Sequence, residues 1–120
     1  MELVSLLSTG KGTWGQTIGL IKRGGWSKII IIGDKYVKKT FEKFGIEQKI
    51  IFVDIDMGKG IKELIKEIKE KLKGKIEGTE VALSIASGSG KEHMALISAL
   101  IQLPVGIKFA VLTKEGVEII

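Results

Sequence analysis

The chain has 120 residues, 44% of them hydrophobic and 28% charged, with one Pro, one His, no Cys and a formal net charge of +5. That length suits one domain, and the hydrophobic content excludes a disordered chain. The absence of Cys removes disulfide frameworks, zinc ribbons and cysteine nucleophiles, and a single His leaves no histidine-built metal cluster, so no metal site is expected. No apolar run reaches the roughly 18–20 residues of a membrane span. The opening Met1-Glu2-Leu3-Val4-Ser5 lacks the basic and cleavage regions of a secretory signal. The expectation is a soluble cytoplasmic protein without membrane association. A basic balance suggests an anionic partner. Seven lysines and three glutamates between Lys59 and Lys75 carry much of it, however, and read as a solvated helix face. No direct binding of duplex nucleic acid is therefore expected.

In chain order, strands and helices alternate. Glu2 to Ser8 is an apolar strand, and a helix follows from Thr13 to Arg23, stopped by Gly24-Gly25. Lys28 to Gly33 contains four consecutive Ile, the composition of a parallel strand buried on both faces. Asp34 offers an N-cap for a helix from Lys35 to Phe44, closed by Gly45. Lys49 to Asp54 is a third strand. Gly58 to Lys73 is a helix, because Ile61, Leu64, Ile65, Ile68 and Leu72 recur at helical spacing. Glu80 to Ile85 is a fourth strand, Lys91 to Leu103 a helix ending before Pro104, and Ile107 to Thr113 a fifth strand. Lys114-Glu115-Gly116 turns the chain into a short antiparallel sixth strand, Val117 to Ile120. This pattern predicts a single α/β domain over 1–120: a three-layer Rossmann-like sandwich with a mainly parallel sheet of five to six strands.

Of the 16 glycines, five cluster in two places, Gly10-Lys11-Gly12-Thr13-Trp14-Gly15 after strand one and Ser87-Gly88-Ser89-Gly90-Lys91 after strand four. Ligands of open α/β sheets bind beyond the carboxyl ends of the strands where the strand order reverses. In the order 3-2-1-4-5, strands one and four meet there, so both loops are expected to face one crevice. Each loop also precedes a helix whose first amides and dipole favour an anion.

Gly10, Gly12 and Gly15 satisfy G-x-G-x-x-G, with Asp34 placed where an NAD-binding domain holds a ribose hydroxyl. A Rossmann module for NAD or a mononucleotide is thus one alternative. The second loop is not a phosphate-binding Walker motif, since Ile85 stands where Gly is needed and Glu92 where Ser or Thr would bind Mg²⁺. Its backbone donors and Lys91 still suit a phosphate.

The early Ser8-Thr9-Gly10 loop, the buried second strand and the Ser87-to-Lys91 loop before a small-residue helix resemble the CRISPR-associated Rossmann fold (CARF) domain over nearly the whole chain. In that family the loop after strand four, of Thr-Gly-Gly-Thr-Lys type, helps bind cyclic oligoadenylate across a homodimer two-fold. Ser87, Gly88 and Lys91 fall on matching positions. Ser89 and Gly90 depart from the pattern, and Met94 follows the lysine by three residues where the family has two. The resemblance implies a nucleotide-sensing homodimer in antiviral defence, with a cyclic oligonucleotide as ligand and no separate cofactor. Its ligand-binding residues would be Ser8, Thr9, Gly10, Lys11 and Gly12 with Ser87, Gly88, Ser89, Gly90 and Lys91. Some relatives cleave their own cyclic ligand by in-line attack of a ribose hydroxyl, which depends on positioning rather than a dedicated base. Slow, metal-independent ring cleavage therefore stays open, with no catalytic residue assigned. A chain ending at Ile120 is expected to be the stand-alone form, without the effector domain that follows in larger relatives.

Further readings stand beside these. The Met94 to Leu103 helix is apolar over more of its surface than one sheet contact needs, which suits a dimer interface or deep packing. His93, in the first turn of that helix, is a surface or capping residue or else a base. Asp54 and Asp56 end strand three and cap the next helix rather than form a metal pair. Trp14 either stacks on a base or enters the core with Ile18 and Ile21. The third alternative is a structural or interaction domain whose glycine loops are only tight turns.

Overall fold

The four isoleucines Ile29 to Ile32 are all buried, because strand β2 (Lys28–Gly33) lies inside a sheet covered on both faces. The computed structural model describes residues 1–8 and 14–120. Within them β1 is Glu2–Leu6, α1 Trp14–Arg23, α2 Lys35–Glu42, β3 Ile51–Asp54 and α3 Ile61–Leu72. The chain continues through β4 Glu80–Ser84, α4 Gly90–Gln102, β5 Gly106–Thr113 and β6 Gly116–Ile119. The sheet order is β3-β2-β1-β4-β5-β6, with every pairing parallel except the closing β5–β6 pair. This is the three-layer α/β sandwich that the alternation predicts, antiparallel last strand included.

Successive strand residues serve opposite layers, as the two-residue period requires. Val4, Leu6, Ile30, Ile32, Val81 and Leu83 meet Leu64 and Ile68 of α3 and Leu96 and Leu100 of α4. Leu3, Leu7, Ile29 and Ile31 meet Leu20 and Ile21 of α1 and Val37 and Phe41 of α2. Ala82 and Ala110 lie in the same layer; their small side chains suit close approach by α1, whose Gly19 stands against the Leu112 side chain.

Several element boundaries differ from the sequence expectation, each for a local reason. Helix α3 starts at Ile61 rather than Gly58, because the Asp56 carboxylate closes a turn by accepting the Gly58 amide (2.9 Å) and so does not cap the helix. Gly60, which has no side chain, holds the N-cap position. Helix α2 ends at Glu42, two residues before the expected Phe44, and Gly45 reverses the chain with φ +60°. Its N-cap is Asp34 as expected, accepting the Val37 amide at 2.9 Å. Strand β3 begins at Ile51, not Lys49. Among the described residues no helix is long and apolar enough to cross a membrane.

On the lysine-rich face of α3, Glu67 pairs with Lys59 and lies 3.3 Å from Lys71. Lys71 also donates to the Asp54 carbonyl, joining α3 to the end of β3. The hydrogen bond from Lys59 outweighs partial burial and, with Lys71, holds the Glu67 carboxyl below its ordinary range. A carboxylate with a lowered folded-state pKa contributes its stability above the unfolded value, about 4.3, and loses it as pH falls through the folded one. Glu67→Gln is therefore expected to melt below wild type at neutral pH, the gap closing in strong acid when melting is followed by circular dichroism. Leu83→Ala empties a fully buried site and is expected to cost about 2–5 kcal/mol in urea denaturation.

Candidate functional site

Backbone groups of successive strand residues point alternately to the two neighbouring strands, so a strand longer than its neighbour leaves polar groups unpaired. At the carboxyl end of β1, the Leu7 amide still reaches the Ile32 carbonyl of β2 (2.9 Å). The next amide, Ser8, faces the β4 side, where strand pairing has ended at Ser5–Ser84. There the Ser87 hydroxyl accepts it at 2.9 Å. The end of β1, just ahead of the first glycine-rich segment, is thus joined directly to the second segment, at the place where the strand order reverses.

The second loop is shaped by its own side chains. Gly88 has φ +105°, and a Cβ there would overlap Leu6 Cδ2 while lying 3.1 Å from Glu92 Oε1 and 3.2 Å from His93 Nε2. Ser89 is the N-cap of α4 and forms a capping box with Glu92: the Ser89 amide donates to Glu92 Oε1 (2.7 Å) and the Glu92 amide to Ser89 Oγ (3.3 Å). Glu92, weighed in sequence only as a failed Walker position, therefore has a structural purpose, and Ser89-x-x-Glu92 is the spacing that signals it. His93 Nε2 lies 2.8 Å from the Ser87 carbonyl oxygen.

These contacts set the electrostatics. The Glu92 carboxylate occupies the first turn of α4, so an anion there meets a negative charge as well as the helix dipole. The amides of Gly90 and Lys91, at the first two helical positions, have no intrahelical acceptor by geometry, and Lys91 is exposed. Helix α1 has no acidic residue in its first turn. Positive character therefore lies towards Lys91 and the start of α1.

A cleft on each side flanks the joined loops. One of about 390 Å³ at the ends of β4 and β5 is mostly apolar, with Ile85, Ala86, Phe109, Val111 and Ile120 beside Gln16. The other, about 330 Å³ at the ends of β2 and β3, carries Asp34, Asp54 and Asp56 with Lys35 and Tyr36, a lining that disfavours phosphate. Gln16 was not anticipated from sequence. Its amide donates to the Leu112 carbonyl (3.0 Å) and accepts the Leu112 amide (3.2 Å), completing β5 beyond the last residue paired with β4. No group of three potential ligands that could hold a metal ion occurs among the described residues.

Of the ten expected site residues, Ser8 and Ser87 are brought together, and Gly88, Ser89, Gly90 and Lys91 are exposed beside them. Ser87 itself is only 2% exposed, so its hydroxyl serves the joint between the loops. Thr9, Gly10, Lys11 and Gly12 lie outside the described residues, as does Thr13. Trp14 packs on Phe44 and Phe41, with ring centroids 5.7 and 6.3 Å apart, and its Nε1 donates to the Ser8 carbonyl at 2.7 Å.

The glycines separate into two kinds. Gly88→Ala places a side chain at positive φ against Leu6 and is expected to cost at least about 2 kcal/mol. Gly90→Ala meets nothing within 4 Å and should stay within about 0.5 kcal/mol of wild type. Paired urea titrations measure both.

No protein-family model matches this sequence, and no curated protein is significantly similar to it. A solved structure that shares the fold is UDP-GlcNAc 2-epimerase from Neisseria meningitidis bound to UDP-GlcNAc, with a TM-score of 0.55 and 12% identity. The match covers 91% of this chain and 32% of the epimerase chain, so this protein spans about a third of that structure's length. At that identity the likeness is one of fold.

Proposed function

We propose that this protein is a nucleotide-sensing domain of CARF type that binds a cyclic oligonucleotide, cyclic oligoadenylate, across two copies of the chain. The observation that supports the reading is the Ser8–Ser87 hydrogen bond, which ties the end of β1, ahead of the first glycine loop, to the start of the second. Lys91 and the free amides at the start of α4 supply phosphate contacts, with Ser8, Gly88, Ser89 and Gly90 around them. The apolar cleft beside Phe109 suits a base, and phosphates sit away from the acidic cleft. In this reading the segment Thr9 to Gly12 completes the site, and the domain acts in the cytoplasm in antiviral defence.

Helix α4 supports the second copy. Met94 and Ile101, one face apart by two turns, are each 61% exposed, with half-buried Ile97 between them. A two-fold contact along that stripe removes apolar surface from water and sets the loops of both copies near one another. Slow cleavage of the ring by its own ribose hydroxyl is the activity this arrangement allows. A second reading, a module for a nucleoside diphosphate compound such as NAD or a nucleotide sugar, draws on the fold neighbour bound to UDP-GlcNAc.

Thermal melting separates these readings. Cyclic tetra- or hexa-adenylate at 100 times its dissociation constant adds about 2.7 kcal/mol, a rise of roughly 10 °C. Lys91→Ala is expected to reduce that rise while leaving the ligand-free stability within about 0.5 kcal/mol of wild type. A response to NAD or UDP-GlcNAc alone selects the second reading, and no response to any nucleotide removes both. Light scattering should give twice the 13.1 kDa chain mass. Chromatography of the incubated cyclic ligand detects ring opening.

A further inference from the structure

The side chain of His93 is not needed to cap its own helix. Ser89 and Glu92 complete the capping box without it, and the His93 amide already bonds the Ser89 carbonyl at 2.9 Å. The ring turns back instead, placing Nε2 2.8 Å from the Ser87 carbonyl oxygen. A carbonyl only accepts, so Nε2 carries the hydrogen and Nδ1 is the unprotonated nitrogen of the neutral ring. From Ser87 the contacts continue without a gap. Its buried hydroxyl accepts the Ser8 amide (2.9 Å), and the Ser8 carbonyl accepts the Trp14 indole N–H (2.7 Å). Trp14 in turn rests on Phe41 and Phe44 of the α2 region.

We propose that His93 is a positioning residue for the junction between the end of β1 and the second glycine loop. Its Nε2–H fixes the Ser87 carbonyl, Ser87 thereby presents its hydroxyl to Ser8, and Ser8 sets the indole of Trp14 at the start of α1. Gly88 makes the arrangement sterically feasible, since a Cβ there would stand 3.2 Å from His93 Nε2 and overlap Leu6. The chain of contacts runs from α4, on one face of the sheet, to α1 and α2 on the other. For a ligand the consequence is preorganisation: a Ser87–Lys91 loop held in one geometry is not ordered at the expense of affinity. That consequence rests on the nucleotide-binding reading, whereas the positioning role does not.

The test therefore uses the ligand-free protein. In ¹⁵N-labelled wild type, Nε2 of His93 should carry a proton; a ring protonated on Nδ1 alone would overturn the proposal without any variant. His93→Ala is expected to shift the Ser8 amide and Trp14 indole signals and to speed exchange of the Ser8 amide by about tenfold or more. The Trp26 indole, bonded to the Leu20 carbonyl at 2.7 Å, should stay in place and reports an intact fold. His93→Gln, whose amide can donate to the same carbonyl, should return both Ser8 and Trp14 towards wild type. Unmoved Ser8 and Trp14 signals in a folded His93→Ala protein, or His93→Gln signals matching His93→Ala, would reject the positioning role. Loss of nucleotide binding alone would leave these readouts unchanged, so the two ideas fail separately.

Discussion

The burial of β1 on every side is the constraint on which the rest of the molecule depends. All five of its residues, Glu2 to Leu6, are buried, between β2 and β4 in the sheet and between two helical layers above and below. Both neighbours are parallel to it, so the connections must cross over the faces, and the covering helices follow from that requirement. Its amino end is closed by the Glu2 carboxylate, which accepts the amides of Glu77 (3.0 Å) and Gly78 (2.7 Å) in the turn before β4. Its carboxyl end is closed by Ser87. One strand therefore sets both the pairing of β4 and the place where Ser8 meets Ser87.

Ladder ends explain much of the local chemistry. Where β4 stops, β1 and β5 continue, and each has backbone groups without a strand partner. Ser87 satisfies Ser8, and Gln16 satisfies both polar groups of Leu112. A side chain acting as a surrogate strand costs little in a sheet whose edges already differ in length. Buried backbone polar groups without partners would be expensive, so the site is a by-product of unequal strand lengths as well as of glycine.

The layered fold was legible because its signals are periodic. Four adjacent isoleucines, the spacing Ile61 to Leu72 and the Gly punctuation each report burial or chain reversal over short range. Asp34 as a cap was equally local. The joint between Ser8 and Ser87 was not visible, since the residues lie 79 positions apart and a serine pair carries no pattern of its own. Only the strand order brings them together. The His93 contact was hidden for another reason: a half-buried ring beside a carbonyl has the same sequence as an exposed one. The capping box is legible in the Ser89-x-x-Glu92 spacing, although Ser89 also falls in a stretch that resembles a nucleotide-binding loop. Asp56 shows the opposite error, an acid assigned to a helix start that instead closes the turn ahead of it.

The carboxylate that Glu92 contributes to its own helix start has a consequence for selectivity. A small free anion arriving at α4 finds the Ser89 and Glu92 amides already occupied and a like charge in place, so its gain from the helix is reduced. Attraction strong enough to hold a guest must come from several points at once: Lys91, the remaining amides and the apolar cleft beyond β4. In the proposed nucleotide-binding reading, such an entrance would discriminate by size and composition. It would favour a molecule that carries charge and hydrophobic surface at the right separation over small inorganic ions.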